Sequence, residues 1–137
     1  MIGDSEKEGV GANELLARYV LRKEHIRKDG TAKSDPFMPY PHADLSVTRH
    51  IGLNDTRIWE LGTDVAHQRK MTLLGRCDVQ SIVFLAEKLR VTPDPIKENP
   101  NHANVSGWPE DKAKQKVIAL RIVKSVTFLP RPQQQEE

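Results

Sequence analysis

The sequence has little cysteine, few aromatic residues and no long apolar run, and each shortage excludes a class of protein. Cys77 is the single cysteine, so a disulfide framework within the chain is excluded and a cysteine-based zinc site nearly so. Aromatic residues make up only 5% of the 137 residues. The longest apolar stretch, 79–86, is interrupted by Gln80 and Ser81 and is too short to cross a bilayer. We therefore expect no membrane contact.

The charges of the chain are nearly balanced. Lys and Arg total 21 against 19 Asp and Glu, a net charge of +2, which excludes a histone-like protein but not a local basic patch. The length and the 37% hydrophobic content fit one globular domain. Residues 1–13 lack the basic start and apolar stretch of a signal peptide, so we expect a cytoplasmic protein.

The two ends of the chain are polar and have no face that could pack. Residues 1–13 combine charged residues with three glycines, and residues 130–137 have no apolar residue except proline. Such segments cannot bury enough apolar surface to offset the entropy of ordering them. We therefore predict disorder in 1–13 and 130–137, with a single globular domain over 14–129.

Apolar periodicity predicts an α+β fold. Residues 45–51 alternate as a half-buried strand, and 72–77 reads as a second short strand. Asn54 is a good N-cap for a helix over 55–69, in which Ile58, Leu61 and Val65 face the core. Strands cluster early and helices late. This order predicts a mainly antiparallel or mixed sheet with about three helices packed mostly on one face.

Two later segments are less regular. Asp78 could cap a helix that continues through residues 79–85, although that apolar run also fits a buried strand. Trp108 and Pro109 are predicted to open a last helix that ends near Ser125. Three prolines, at 93, 95 and 100, indicate a surface connection between these segments.

Three stretches form a recognisable combination. They are Asp44-Leu45-Ser46-Val47 before Arg49, Gly75-Arg76 before Asp78, and Asn101-His102-Ala103-Asn104-Val105 before Trp108-Pro109 and Lys112. Together they resemble a set of small bacterial single-domain proteins, over most of residues 15–123. The resemblance implies a bacterial source and a single domain. It implies no activity, because none is attached to that set.

The sharpest polar feature lies in the third stretch. His102, Asn104 and Trp108 fall within nine residues just before the last predicted helix, and Lys112 follows. The imidazole of His102 could act as acid, base or phosphate contact, with Asn104 and Trp108 binding a ligand. The alternative is structural, because Asn and His tolerate turns and Trp108 could simply fill the core.

A second polar feature surrounds the strand over 45–51. Alternation places Arg49 on its apolar side, where an arginine needs an anion. Asp78 or Asp44 would supply it in a structural ion pair, whereas a bound phosphate or carboxylate is the functional alternative. His42 lies close by as a further ligand-binding candidate. The spacing of the histidines and acids here matches no metal-ligand signature, so we predict no metal site.

The sequence alone leaves three functions open. The absence of any strong catalytic motif favours a non-catalytic binding or accessory module, for which a protein partner or a homodimer would fit. The alternative is a small enzyme acting on a phosphodiester or nucleotide-like substrate, with His102 as acid or base, Arg49 holding the anion, and Asp44 and Lys112 assisting. The third is RNA binding through the basic segment 18–33, which the scarcity of aromatics disfavours. No cofactor is predicted.

Overall fold

A single antiparallel sheet organises the chain. The computed structural model describes residues 9–132. The six strands follow the order β4-β5-β2-β1-β3-β6 across the sheet, with bounds β1 Leu15–Val20, β2 Leu45–Arg49, β3 Gly75–Gln80, β4 Arg90–Pro93, β5 His102–Ser106 and β6 Thr127–Pro130. The helices are α1 Asp55–Gln68, α2 Ser81–Leu85 and α3 Lys112–Val123. The predicted α+β class is confirmed. No helix within 9–132 has both the length and the apolar character needed to span a membrane.

Helices cover both faces of the central strand β1. Leu16 and Val20 on one face belong to a buried cluster that includes Phe84 of α2 and Ile122 of α3. The opposite face carries Tyr19, whose hydroxyl donates to the carbonyl of Ile58 in α1 at 2.6 Å. Two of the three helices therefore share one face, and α1 lies on the other.

The helix α1 matches the sequence prediction closely. The side chain of Asn54 accepts a hydrogen bond from the Arg57 backbone N–H at 2.8 Å, which caps the N-terminus. Ile58 and Leu61 are buried, as predicted, while Val65 is only half-buried. At the C-terminus of α1, the Met71 N–H donates to the Ala66 carbonyl at 2.8 Å and caps the helix.

The middle of the chain differs from the prediction. The strand predicted over 72–77 begins at Gly75 and continues to Gln80, pairing with β1 throughout, so Asp78 lies in a strand rather than capping a helix. The ambiguous run 79–85 is divided: it ends β3 and then forms the short helix α2. The last helix starts at Lys112 rather than Pro109, because the Asp111 side chain accepts hydrogen bonds from the N–H groups of Ala113 and Lys114.

Parts of both ends that were predicted to be disordered lie within the described residues, and these parts make defined contacts. In 9–13, the Ala12 carbonyl accepts from Ile82 N–H at 2.8 Å, and Val10 packs against the core. At the other end, Pro130 of β6 pairs with Gly75 of β3, and the Arg131 N–H donates to the Leu74 carbonyl at 2.9 Å. Backbone hydrogen bonds hold both segments, and these do not require apolar side chains. The remainder of both predictions, residues 1–8 and 133–137, lies outside the described residues.

The contact between α1 and β1 leaves no room for a side chain at Gly62. A Cβ at this position would lie 2.5 Å from Cε1 of Tyr19. We expect Gly62→Ala to destabilise the protein by about 1–3 kcal/mol through overpacking, against about 1 kcal/mol gained in helix propensity. Urea unfolding should show a smaller cost in a Tyr19→Leu background. Asp64→Ala, at an exposed position on the same helix, is the control. If Gly62→Ala changed the free energy of unfolding as favourably as Asp64→Ala does, this packing would be contradicted.

A cationic cleft where two strands separate

The central strands β1 and β2 stay together for only part of their length. Within residues 9–132 their register consists of two pairs, Leu16 with Arg49 and Ala17 with Thr48, whereas β1 and β3 pair at six positions. Continued register would place Tyr19 opposite Ser46. Instead a cleft of about 1110 Å³ opens there, with these separated strand ends among its walls.

Arg18 fills the space between the two strands. Its Nε donates to the Pro36 carbonyl at 2.7 Å, and its Nη1 donates to the Ser46 carbonyl at 3.0 Å. The guanidinium thereby links β1 both to β2 and to the short 3-10 helix Asp35–Phe37. Arg18 is half-buried and forms part of the cleft wall.

Arg18 differs from the other inward-facing arginines in its partners. Arg49 pairs with Glu14, and Arg76 pairs with Asp55 and Asp78. The partners of Arg18 are neutral carbonyls, and no carboxylate within residues 9–132 pairs with it. Burial, and secondarily the positive charge of Arg69, lowers the pKa of Arg18 to about 10. It remains charged at neutral pH, so the cleft contains a cation that has no ion-pair partner within residues 9–132.

The cleft as a whole is basic. Its lining includes five arginines and lysines and three histidines but only two aspartates: Arg18, Arg22, Arg69, Lys112, Lys116, His25, His42, His102, Asp35 and Asp44. One of the aspartates, Asp35, is 3.7 Å from Lys116 Nζ. Lys112 Nζ lies 4.6 Å from the ring centroid of Tyr40, which is largely exposed. Burial is also the main cause that lowers the pKa of His25. The balance of charge favours an anionic occupant.

His102 is held in a defined orientation at the cleft wall. It begins β5 opposite Thr48, and its Nδ1 lies 2.9 Å from the Asp94 carbonyl oxygen. A carbonyl oxygen can only accept, so Nδ1 carries the hydrogen in this bond. In the neutral ring Nε2 then has the free lone pair, which is the arrangement that a general base requires.

Four of the seven predicted site residues line this one cleft. They are His102, Asp44, Lys112 and His42. Asn104 and Trp108 are not part of it: the Asn104 amide donates to an Asp94 carboxylate oxygen at 2.9 Å, and the Trp108 indole donates to the Val105 carbonyl at 3.0 Å. Both therefore have structural hydrogen bonds of their own.

Arg49 is also outside the cleft, and its predicted partners were wrong. The ion pair was predicted correctly in kind, but the carboxylate belongs to Glu14, which accepts from Arg49 Nε at 2.5 Å and Nη2 at 3.1 Å. Asp78 instead lies beside His50 and Arg76. Asp44 is exposed in the loop before β2. Arg49 therefore does not serve as the anion holder of the cleft.

The residue that sequence patterns failed to single out is Arg18. It alternates with the buried residues Leu16 and Val20 along β1, which is the same pattern that singled out Arg49. Grouping Arg18 with the basic segment 18–33 concealed this signal. Arg69, at the end of α1, and Tyr40 also line the cleft and were not predicted as site residues.

Neither metal ligands nor similar proteins indicate what the cleft binds. Residues 9–132 contain no cluster of three or more His, Cys, Asp or Glu side chains arranged to hold a metal ion. Comparison with protein-family models, curated proteins and solved structures finds no match. Function must therefore be inferred from the geometry of the cleft itself.

Proposed function

We propose that the protein is a non-catalytic binding module whose cleft holds a small anionic ligand, anchored by Arg18. The observation that carries this proposal is the charge of Arg18, half-buried in a cleft and bonded only to neutral carbonyls within residues 9–132. A desolvated charge is costly unless it is paired. A ligand anion would supply the missing partner.

The geometry of Arg18 suits this role. The two carbonyls engage Nε and Nη1, and Nη2 makes no hydrogen bond within residues 9–132. A guanidinium fixed in this way has little conformational freedom left to lose when it binds phosphate or carboxylate. The cleft volume of about 1110 Å³ slightly exceeds the roughly 300–1,000 Å³ typical of small-molecule sites.

The test is binding of adenosine 5′-monophosphate and inorganic phosphate, measured by calorimetry and by amide chemical-shift changes. We expect Arg18→Gln to weaken binding by about tenfold or more, the equivalent of one lost charge-assisted hydrogen bond. Arg57→Gln is the matched control, since Arg57 is an exposed cation of α1 outside the cleft.

Two outcomes would overturn the proposal: no anion binding at millimolar concentration, or unchanged affinity in a folded Arg18→Gln variant. If that variant does not fold, chemical-shift mapping on the unmodified protein decides the question. Shifts should then concentrate at Tyr19, Ser46 and Thr48, where the strands separate. Shifts confined to other surfaces would contradict a ligand in this cleft.

A second candidate function is supported by His102. Its Nδ1 is held by the Asp94 carbonyl, and Asp44, Lys112 and His42 line the same cleft. With Arg18 in place of Arg49 as anion holder, this set could act on a phosphodiester or nucleotide-like substrate. Hydrolysis of bis(p-nitrophenyl) phosphate that His102→Gln abolishes, with phosphate binding retained, would favour the enzyme. Binding without turnover favours the non-catalytic module.

RNA binding through 18–33 gains no support from the structure. Arg18 and Arg22 line the cleft, whereas Arg27 lies in the following turn, where its Nη1 is 3.3 Å from the Ala32 carbonyl. A nucleic-acid backbone requires its cations on one face, and RNA binding is not part of our proposal. Our proposal keeps the cytoplasmic location predicted from the sequence.

A further inference from the structure

We propose that Arg18 and Arg69 together form a subsite for a doubly charged phosphate group, so that the ligand is a phosphomonoester rather than a phosphodiester or a carboxylate. This inference rests on the proposed binding function and names the class of ligand. Both arginines line the cleft, one from the central strand and one from the end of α1.

The local backbone fixes the position of Arg69. Arg69 is the C-cap residue of α1, and Lys70 after it adopts a left-handed conformation, with φ of 56°. The Lys70 N–H bonds the His67 carbonyl at 3.0 Å, and the Met71 N–H bonds Ala66 in the same closing turn. The chain reverses there, and this turn places both Arg69 and Met71 on the cleft wall.

Two arginines of like charge line the same cleft. After burial, the charge of Arg69 contributes to lowering the pKa of Arg18, and within residues 9–132 neither arginine makes a salt bridge. The C-terminal end of α1 carries partial negative charge, which stabilises Arg69 but not an anion. Contact with the ligand must therefore come from the guanidinium groups rather than from the helix terminus.

The charge of the ligand decides how much of this repulsion it relieves. A monoanion can compensate only one of the two positive charges. A dianion with three terminal oxygens can accept from both and compensate both charges. Of the two aspartates in the lining, Asp35 is engaged by Lys116, which reduces competition within the cleft. The rest of the volume accommodates the organic part of the ester.

The test compares four small anions at about pH 7.5, above the second pKa of a phosphomonoester, which is about 6. Methyl phosphate carries two charges there and inorganic phosphate is a mixture of monoanion and dianion, whereas dimethyl phosphate and acetate carry one. Calorimetry should show methyl phosphate binding about tenfold or more tightly than dimethyl phosphate, the value of one additional charge-assisted hydrogen bond. In Arg69→Gln this ratio should fall toward one, while Arg57→Gln should leave it unchanged.

The outcomes separate this inference from the proposed function. Equal affinity for monoanions and dianions, or a preference that persists in Arg69→Gln, would overturn the dianion subsite while anion binding at Arg18 stands. Failure of all four anions and of adenosine 5′-monophosphate to bind would overturn the proposed function itself. Arg69 is exposed, so its variant should retain the unfolding midpoint of the unmodified protein, and that measurement establishes that it is folded.

Discussion

Replacing Glu14 with Gln should destabilise the protein by about 3–5 kcal/mol, because breaking a buried ion pair from one side costs that much. Arg49 is only 4% exposed and Glu14 only 10%. The carboxylate receives two hydrogen bonds from the guanidinium, and Arg49 also donates to the Gly9 carbonyl at 2.9 Å. This pair therefore fastens the segment before β1 to the end of β2. Urea unfolding followed by circular dichroism measures the loss.

Two further variants show whether burial causes the effect. The exposed pair of Arg57 and Glu60, 3.5 Å apart on α1, is the matched control, and Glu60→Gln should change stability by about 0–1 kcal/mol. In Arg49→Met the buried charge itself is removed, so adding Glu14→Gln to that background should cost much less than it does alone. A Glu14→Gln cost equal to that of Glu60→Gln would show that the pair is effectively solvated.

The elements that could be predicted from the sequence are those specified by neighbouring residues. Helix α1 has its cap at Asn54 and its buried residues Ile58 and Leu61 at helical spacing, so its signals lie within a few positions of one another. The strands β4 and β6 each have four residues, and each ends in a proline. They exist because β5 and β3 offer partners to pair with, and no short-range pattern encodes those partners.

The candidate site shows the same division between local and distant causes. Alternation correctly placed Arg49 inward, and the requirement for an anion correctly predicted an ion pair. The identity of the partner could not be read, since Glu14 lies 35 residues away and meets Arg49 only across the folded sheet. Likewise, His102 and Lys112 share a cleft with Asp44 because β5 pairs with β2. That pairing is a property of the topology.

The inward orientation of the Arg18 side chain could be predicted from the sequence. Its place between Leu16 and Val20 carries the same inward-arginine signal as Arg49. What distinguishes the two is the partner, a carboxylate for one and backbone carbonyls for the other. Only the folded structure separates a structural arginine from one that leaves a charge for a ligand.

Truncating Leu61 to Ala should cost about 2–5 kcal/mol, the sum of lost apolar transfer energy and the cavity that remains. Leu61 is 1% exposed on the face of α1 that packs on the sheet. Ile58→Val removes one methylene from the same face and should cost only about 0.5–1.5 kcal/mol. Leu120→Ala is the matched control on α3, where the side chain is 42% exposed, and it should stay within about 0.5 kcal/mol of the unmodified protein.

The order of these three losses in unfolding free energy tests how α1 packs on the sheet. Urea unfolding with a constant m-value should rank Leu61→Ala above Ile58→Val and both above Leu120→Ala. Because Arg69 is the C-cap residue of α1, the packing of this helix on Tyr19 also determines where the Arg69 guanidinium lies in the cleft. Phosphate affinity should therefore fall less in Ile58→Val than in Leu61→Ala. A Leu61→Ala variant as stable as Leu120→Ala would contradict the burial of this helix and, with it, the position of Arg69.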